Sequence, residues 1–337
     1  MSIVIWGLIK FIVVLLLISL YVLFMTWFDR KVLARMQNRV GPKLIGFHGL
    51  WQPLADGVKS IWKEDVMPGK AYKFMFWLAP VITITTAFAI SFVIPFAPPV
   101  KTASGVVFHF SVVNLNVAIL FVFAFLGLSS YGVLYAGISS GGSKYPFLGA
   151  QREGAQMISY EIVLALSLLN PILMSQSLNF ETIVAAQTHH LWYAFYQPVA
   201  FVTYLIAMFA VAGKVPFDMP EAESEICCGY FVEYSGLKMG LYPFAQYVVV
   251  LVLSAIMVLM FLGGWNGPFW DGGFVAGFIW YWIKVAFFIF LFTWIWGTLP
   301  RYRYDQLMDI GWKILLPITV LNIFWTGFAL TIGLPFF

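Results

Sequence analysis

Eight segments of this chain carry almost no charged residues, and each is long enough to cross a lipid bilayer, which takes about 20 apolar residues. They lie near 3–28, 74–97, 112–138, 156–178, 192–213, 240–263, 274–299 and 312–334. Their apolar residues are continuous rather than alternating, which favours helices over a β-barrel. Only 10% of all residues are charged, against about 25% in soluble proteins. The sequence therefore predicts an all-α integral membrane protein, with eight transmembrane helices in a single membrane domain over 1–337.

The distribution of lysine and arginine predicts the orientation of these helices. The connections after spans one, three, five and seven hold sixteen of the 19 basic residues, nine of them between Arg30 and Lys73. The opposite side has only Lys101, while Lys10 and Lys284 lie within spans, and Lys284 is left without a role. By the positive-inside rule, the loops 29–73 and 214–239 face the cytoplasm or its equivalent. Both termini are therefore expected on the outer, periplasmic-type side.

The first inner loop contains a segment with helical periodicity, from Gly49 to Lys63. At 100° per residue its leucine, isoleucine, valine and tryptophan side chains share one face, while Asp56 and Lys59 lie on the other. Such a helix is expected to lie along the membrane interface. Next to Arg30 it could cover a cavity that admits an amphipathic ligand, although a surface helix with a solvated ion pair fits the periodicity equally well.

The second large inner loop concentrates carboxylates. Five of the fifteen acidic residues fall between positions 218 and 238: Asp218, Glu221, Glu223, Glu225 and Glu233. Asp218 and Glu221 have the spacing of a helix N-cap and its N3 partner, so capping could explain these two. It does not explain the other three. Because ionisable groups at membrane depth usually mark ion or proton paths, we interpret the cluster as functional.

One further carboxylate, Glu161, lies inside the fourth predicted span. A carboxylate within a span costs about 2.5–3.5 kcal/mol on insertion scales, so it is expected to pair or to face water. A structural pair is possible, but a proton-relay role is the interpretation we favour.

The sequence predicts no metal site and no redox centre in this chain. Its two cysteines, Cys227 and Cys228, are adjacent, which suits neither a disulfide framework nor the usual spacing of metal ligands. The net charge of +4 follows from the basic inner loops and does not indicate nucleic-acid binding.

Six segments resemble the H-type membrane subunit of the proton-pumping NADH:quinone oxidoreductase, which is the mitochondrial subunit-1 type of respiratory complex I. They cover residues 29–34, 37–42, 52–59, 155–161, 216–223 and 233–236, and the resemblance extends over nearly the whole chain. Two departures are Asp29, where the family usually has Glu, and Lys214, where Arg is frequent. A shorter acid and a lysine change the reach and the bidentate bonding at these positions.

The resemblance implies a membrane subunit that joins the hydrophilic arm to the membrane arm and forms a tunnel for quinone, the substrate. Its partners would be the quinone-site subunits of the hydrophilic arm, the antiporter-like membrane subunits, and lipid. FMN and iron–sulfur clusters are expected in partner subunits, with no prosthetic group in this chain. The expected location is an energy-transducing membrane, the bacterial inner membrane.

The resemblance also implies roles for individual residues. Those matching the quinone tunnel are Arg30, Asp56, Lys59 and Asp218. Those matching the acids that couple quinone chemistry to proton movement are Glu161, Glu221, Glu223, Glu225 and Glu233. Three alternatives remain: the equivalent subunit of an energy-converting hydrogenase or of a non-NADH dehydrogenase, a free-standing ion transporter, and a passive anchor for a redox arm.

Overall fold

The computed structural model describes residues 2–101, 107–188, 191–267 and 273–333, and these are almost entirely helical. The first part contains α1 (Ser2–Met36), a 3-10 turn (Phe47–Gly49), α2 (Gln52–Trp62), α3 (Lys73–Ser91) and two short antiparallel strands, β1 (Val100–Lys101) and β2 (Val107–Phe108). The middle part contains α4 (Ala118–Ser139), α5 (Lys144–Ser175), α6 (Phe180–Ala186), α7 (Tyr193–Tyr196) and α8 (Pro198–Val211). Next come α9 (Glu223–Ile226), a 3-10 turn (Gly229–Phe231), α10 (Gly236–Phe261), α11 (Gly273–Thr298), α12 (Tyr304–Asp309), a π-helical turn (Ile310–Leu315) and α13 (Leu316–Ile332).

Seven helices in the described ranges are long and apolar enough to cross a membrane: α1, α3, α4, α5, α10, α11 and the continuous run from α12 to α13. Of their most apolar windows, that of α10 is 83% buried, whereas that of α1 is only 17% buried. α10 is therefore the central helix, and α3, α8 and α11 pack against it. α1 lies at the edge of the bundle, where most of its apolar surface is left for lipid or for a partner.

The fifth predicted span differs from the expectation of one continuous helix. The segment near 192–213 is divided at Gln197, between α7 and α8. Pro198 causes the break, because proline lacks a backbone N–H and excludes the preceding residue from the helical conformation. The side chain of Gln197 donates to Thr326 Oγ1 (3.0 Å) and accepts from Asn322 Nδ2 (3.1 Å). These hydrogen bonds join the broken segment to α13 inside an apolar bundle.

Two other helices are longer than their predicted spans. α5 begins at Lys144, twelve residues before the predicted position 156, so Glu161 lies near the middle of a 32-residue helix. α1 continues to Met36 and therefore carries Asp29 and Arg30 on regular helix. In both cases the helix continues through charged residues beyond its apolar part. An apolar run marks the membrane-embedded part of a helix and not its ends.

Lys284, left without a role by the sequence, closes the end of α10. Its ammonium group is buried and donates to three backbone carbonyls, those of Leu262 (2.7 Å), Gly264 (3.0 Å) and Asn266 (2.7 Å). The last carbonyls of a helix have no partner within the helix and attract cations. Lys284 supplies this partner from α11, so it links the two helices and does not extend toward solvent.

The two inner loops of the prediction are joined at the opposite end of α10. Lys238 lies 2.6 Å from Asp65 and is buried over the ring of Trp77. The backbone N–H of Val66 donates to Ser235 Oγ (2.8 Å). These contacts hold α2 and the acidic loop at one end of the bundle.

Candidate functional site

The acidic loop folds back into the bundle between α8 and α10 and borders a small cavity. The cavity has a volume of about 50 Å³. Its lining includes polar side chains from three elements: Glu153 of α5, Glu221 and Tyr230 of the loop, and Gln246 of α10. A water molecule needs about 10–15 Å³ of such space and two to four polar partners, so the cavity can hold a few waters. It is therefore a suitable place for proton exchange between buried carboxylates.

Glu221 lies at the centre of this arrangement. Its Oε1 accepts hydrogen bonds from Tyr230 (2.7 Å) and from the amide of Gln246. Gln246 in turn accepts from Lys214 Nζ (3.1 Å). Burial raises the pKa of Glu221, although Lys214, Tyr230, Gln246 and Arg301 oppose the shift. Glu221 therefore holds a proton more readily than an exposed carboxylate does. Lys214 is linked to it by hydrogen bonds through the side-chain amide of Gln246.

Asp218 is the second buried acid of the loop, with 7% of its surface exposed. One carboxylate oxygen accepts from Arg301 Nη2 (2.8 Å), while Oδ1 is buried without a partner in the described residues. Burial and the neighbouring Glu221 raise the pKa of Asp218, against the lowering effect of Arg301 and Lys214. Two carboxylates that share a site cannot both ionise cheaply, so Asp218 and Glu221 titrate as a pair.

The capping interpretation of Asp218 and Glu221 is wrong. The short helix of this loop, α9, begins only at Glu223. Its N-cap is Ala222, and no side chain caps it. Both acids instead make contacts with residues distant in sequence, which the local spacing does not reveal.

Two carboxylates of α5 continue the acidic group into the membrane. Glu153 lines the cavity together with Glu221, and its charge interacts with Glu221, Glu161 and Asp218. Glu161 lies two helical turns further along α5, where its Oε1 is buried without a hydrogen bond in the described residues. The sequence analysis selected Glu161 but not Glu153. Glu153 precedes Glu161 by eight residues on the same helix, and this spacing was the sequence signal that could have led us to select Glu153 as well.

The remaining predicted acids lie at the surface of the loop. Glu223 and Glu225 are exposed, and Glu225 forms an ion pair with Arg152. Glu233 is partly buried and makes no hydrogen bond or ion pair within the described ranges. The structure therefore divides the five acids into a pair beside the cavity, with Asp218 buried and Glu221 partly buried, and an outer group of three.

Two of the residues predicted to line the tunnel, Arg30 of α1 and Asp56 of α2, are in contact. Arg30 Nη1 lies 2.5 Å from Asp56 Oδ2, and Gln52 donates to Asp56 Oδ1 (3.0 Å). The pKa of Asp56 is lowered, because the hydrogen bonds from Arg30 and Gln52 and the charges of Arg30 and Lys59 outweigh its partial burial. Lys59 is exposed. Asp218 lies with Arg301 and Glu221 and has no hydrogen bond or ion pair with this group.

α2 has the predicted amphipathic character, and its apolar face is uncovered in the isolated chain. Leu54, Val58 and Ile61 are 46%, 48% and 63% exposed, and Trp62 at its end is 86% exposed. A helix with such a face is suited to the interface between lipid and water. Arg30 and Asp56 lie on its opposite side.

Three residues join the α2 region to the acidic cavity, and the sequence analysis did not select them as site residues. Asp29 is 4% exposed, accepts from Thr293 Oγ1 (2.5 Å) and lines a small cavity together with Tyr247 and Lys214. Lys214 lies over the ring of Tyr247 (4.5 Å), and its charge acts on both Asp29 and Glu221. A series of charged and polar groups therefore leads from Arg30 to Glu221: hydrogen bonds join Lys214, Gln246 and Glu221, and the earlier members act on one another through their charges.

The raised pKa values predict how pH affects stability. A carboxyl group in the unfolded chain has a pKa near 4. A carboxyl whose pKa is higher in the folded protein makes its full contribution to stability only below this unfolded pKa. This contribution is lost as the pH rises through the folded pKa values of Asp218 and Glu221. We expect the melting temperature of the assembled complex to fall between about pH 5 and about pH 8, and Glu221→Gln to reduce this fall. Differential scanning fluorimetry across the range measures it, with the exposed Asp309→Asn as control. An unchanged slope in Glu221→Gln would contradict the assignment.

Comparison with known sequences places this arrangement in a family. A profile of the NADH dehydrogenase family matches residues 9–327. The chain is 43% identical over 330 residues to an H-type subunit of NADH-quinone oxidoreductase, numbered 2, from Rhizobium etli, covering 97% of this chain and 95% of the relative. It is 44% identical over 313 residues to the H-type subunit of Thermomicrobium roseum, covering 90% of each. It is also 43% identical over 314 residues to NADH-quinone oxidoreductase subunit 8 of Thermus thermophilus, covering 93% of this chain and 83% of the relative. The chain therefore belongs to the NADH dehydrogenase family of membrane subunits, the H-type subunits of NADH-quinone oxidoreductases.

Proposed function

We propose that this membrane subunit of an NADH:quinone oxidoreductase forms the quinone tunnel at the junction with the hydrophilic arm and couples quinone reduction to proton translocation. The observation that carries the proposal is the polar series from Arg30 and Asp56, through Asp29, Tyr247 and Lys214, to the Glu221 cavity. Its first part lies beside a helix suited to the membrane interface, where a lipid-soluble quinone would arrive. Its last part is a set of acids with raised proton affinity.

In this proposal the chain crosses the membrane eight times, with both termini on the outer side. α7 and α8 together form the fifth span, since residues 193–211 extend for about 28 Å at the helical rise of 1.5 Å per residue. The hydrocarbon core of a bilayer is about 30 Å thick. The basic loops 29–73 and 214–239 then face the cytoplasm, where the electron-carrying subunits dock.

The mechanism rests on the electrostatic effect of quinone reduction. When two electrons from a partner subunit reduce the quinone to the quinol, it takes two protons from groups that line the tunnel, and those groups are left with two additional negative charges that would attract Lys214. Lys214 transmits this change, because its charge acts on Glu221 directly and its ammonium binds Gln246, which donates to Glu221. A Lys214 drawn toward the tunnel would stabilise the Glu221 carboxylate less, and Glu221 would bind a proton.

Protons would then move inward along acids that share one environment. Glu153 is next to Glu221 in the cavity, and Glu161 follows it along α5 toward the membrane interior. Waters in the cavity would connect Glu221 with Glu153, which both line it. The exposed Glu223 and Glu225, with Glu233, lie on the side of the loop where the hydrophilic arm would cover them.

The role of Arg30 in quinone binding is tested by Arg30→Met in the assembled complex. We expect the KM for a short-chain quinone to rise about tenfold, with a smaller change in kcat, because removal of the guanidinium leaves Asp56 as an unpaired charge beside the path of the quinone. Steady-state quinone reductase kinetics measure both constants. Arg30→Lys should recover part of the loss, and Lys313→Met, which removes an exposed ion pair with Asp309, is the control. A wild-type KM in Arg30→Met would remove Arg30 from the tunnel.

A further inference from the structure

A second cavity, separate from the acidic one, runs along the first half of α1. It is a groove of about 480 Å³ between α1, α11, and the segments around Phe96 and His109. Its walls are largely apolar, with Val13, Leu17 and Trp282 among the lining residues. It lies away from α2 and the acidic loop, so the proposed function does not account for it.

One end of the groove carries a positive charge. The ammonium of Lys10 donates to the backbone carbonyl of His109 (3.0 Å) and lies over the ring of Phe108 (4.2 Å). A lysine has three N–H donors, so further donors remain for a ligand. Among the described residues, the acid near this end is Glu181, which is already paired with the ring of His109 (2.8 Å). Within the described ranges, Lys10 forms no ion pair with a carboxylate.

The dimensions of the groove match one leaflet of a bilayer. Along α1 the lining residues run from Trp6 to Tyr21, with Lys10 one turn from the first of them. From Lys10 to Tyr21, eleven residues of helix correspond to about 16 Å, close to half of a hydrocarbon core of about 30 Å. Lys10 precedes Arg30 by twenty residues of the same helix, which is about 30 Å. If Arg30 lies at one interface, Lys10 lies at the other, and the groove extends from there to the middle of the membrane.

We propose that this groove binds an anionic phospholipid of the leaflet opposite α2, with its phosphate on Lys10 and one acyl chain along Val13 and Leu17. The exposed face of α13 provides the contrast. Leu321, Phe324 and Phe328 are exposed there, and α13 carries no lysine or arginine, so that face offers no cation to an anionic headgroup. The site does not depend on the role of the acidic loop in proton movement.

Photocrosslinking of the intact complex in nanodiscs tests the proposal. The discs are made of phosphatidylcholine with a small fraction of either phosphatidylglycerol or phosphatidylcholine carrying a diazirine in the acyl chain, and the labelled peptides are identified by mass spectrometry. We expect peptides containing residues 6–21 to be labelled about fivefold more by the phosphatidylglycerol probe, the factor typical of one lysine at an anionic lipid. Peptides of α13 should be labelled equally by both probes and serve as the reference within the same molecule.

Substitutions separate a specific site from bulk lipid. Lys10→Gln should abolish the preference for phosphatidylglycerol, and Lys10→Arg should keep it. Val13→Trp should fill the groove and reduce labelling by both probes, whereas Ile12→Trp, at an exposed position outside the groove, should not. Retained NADH:quinone reductase activity confirms that each variant assembles. Equal labelling by the two probes in the wild type, or an unchanged preference in Lys10→Gln, would overturn the proposal. So would an unlabelled groove beside a labelled α13, because a neighbouring subunit would then occupy it.

Discussion

The assembled complex carrying Glu221→Gln is expected to lose at least about nine-tenths of its quinone reductase activity and of the proton translocation linked to it. A group that must take up and release protons typically contributes a factor of about 10²–10⁴ to the reaction rate. Glu221 acts on the quinone reaction only indirectly, so we expect its contribution to lie at or below the lower limit of this range. Glutamine has the same shape and can still accept from Tyr230, so the substitution removes the titration of Glu221 and keeps most of its contacts. NADH:quinone activity in membranes and proton uptake in sealed vesicles measure the two losses.

Two further variants make this result interpretable. Tyr230→Phe removes one hydrogen bond to Glu221 but keeps the carboxyl, so it should lower activity by a smaller factor, about two- to tenfold. Asp309→Asn changes an exposed carboxylate that pairs with Lys313 and should leave activity unchanged. Equal activity of the Glu221→Gln complex and the wild type would exclude Glu221 from the coupling path. A loss in electron transfer from NADH to an artificial acceptor would instead indicate a general assembly defect.

The helical membrane architecture could be predicted from the sequence because it depends on a local property. A backbone in hydrocarbon must satisfy its own hydrogen bonds, so each long apolar run becomes a helix whatever its neighbours are. The break at Gln197 was not predicted, although Pro198 was visible. Proline also occurs within α3, α5 and α10 without dividing them, and the hydrogen bonds from Gln197 to α13 that stabilise the break come from residues more than 120 positions away.

The candidate site was predictable only in part, for a similar reason. The sequence indicated that the amphipathic helix lies next to Arg30, but it did not predict the pairing of Arg30 with Asp56. Glu153 was passed over, because only the fold of the acidic loop brings Glu221 to it. Asp29 and Lys214 were noted as departures from a family pattern, and their proximity across α1, α10 and the loop after α8 depends on long-range packing. Charge density locates a functional loop, whereas tertiary contacts decide which of its acids are buried.

The geometry of the acidic loop depends on one glycine, and Gly229→Ala is expected to disrupt it as strongly as the loss of Glu221 itself. Gly229 has a positive φ of 58° and follows Cys227 and Cys228, which have φ values of 50° and 71°. A Cβ at Gly229 would lie 1.6 Å from the carbonyl oxygen of Pro220, next to Glu221. Because this oxygen belongs to the backbone, either the turn or the segment carrying Glu221 must move. We expect quinone reductase activity to fall at least about tenfold, since a displaced Glu221 loses its contact with Tyr230 and Gln246.

The matched control is Gly142→Ala, at a position with the same kind of backbone and free space around it. Gly142 has a φ of 89°, and a Cβ there would have no atom within 4 Å. The Gly142→Ala variant has only the conformational cost of an alanine in the left-handed region, about 1–2 kcal/mol. The complex that contains this variant should remain active. Limited proteolysis should cut the 214–238 loop faster in Gly229→Ala than in Gly142→Ala, while the transmembrane fragments stay intact. Equal activity and equal cleavage in the two variants would show that the close approach of Gly229 to Pro220 does not position Glu221. The hydrogen bonds from Tyr230 and Gln246 would then be sufficient to hold the Glu221 carboxylate.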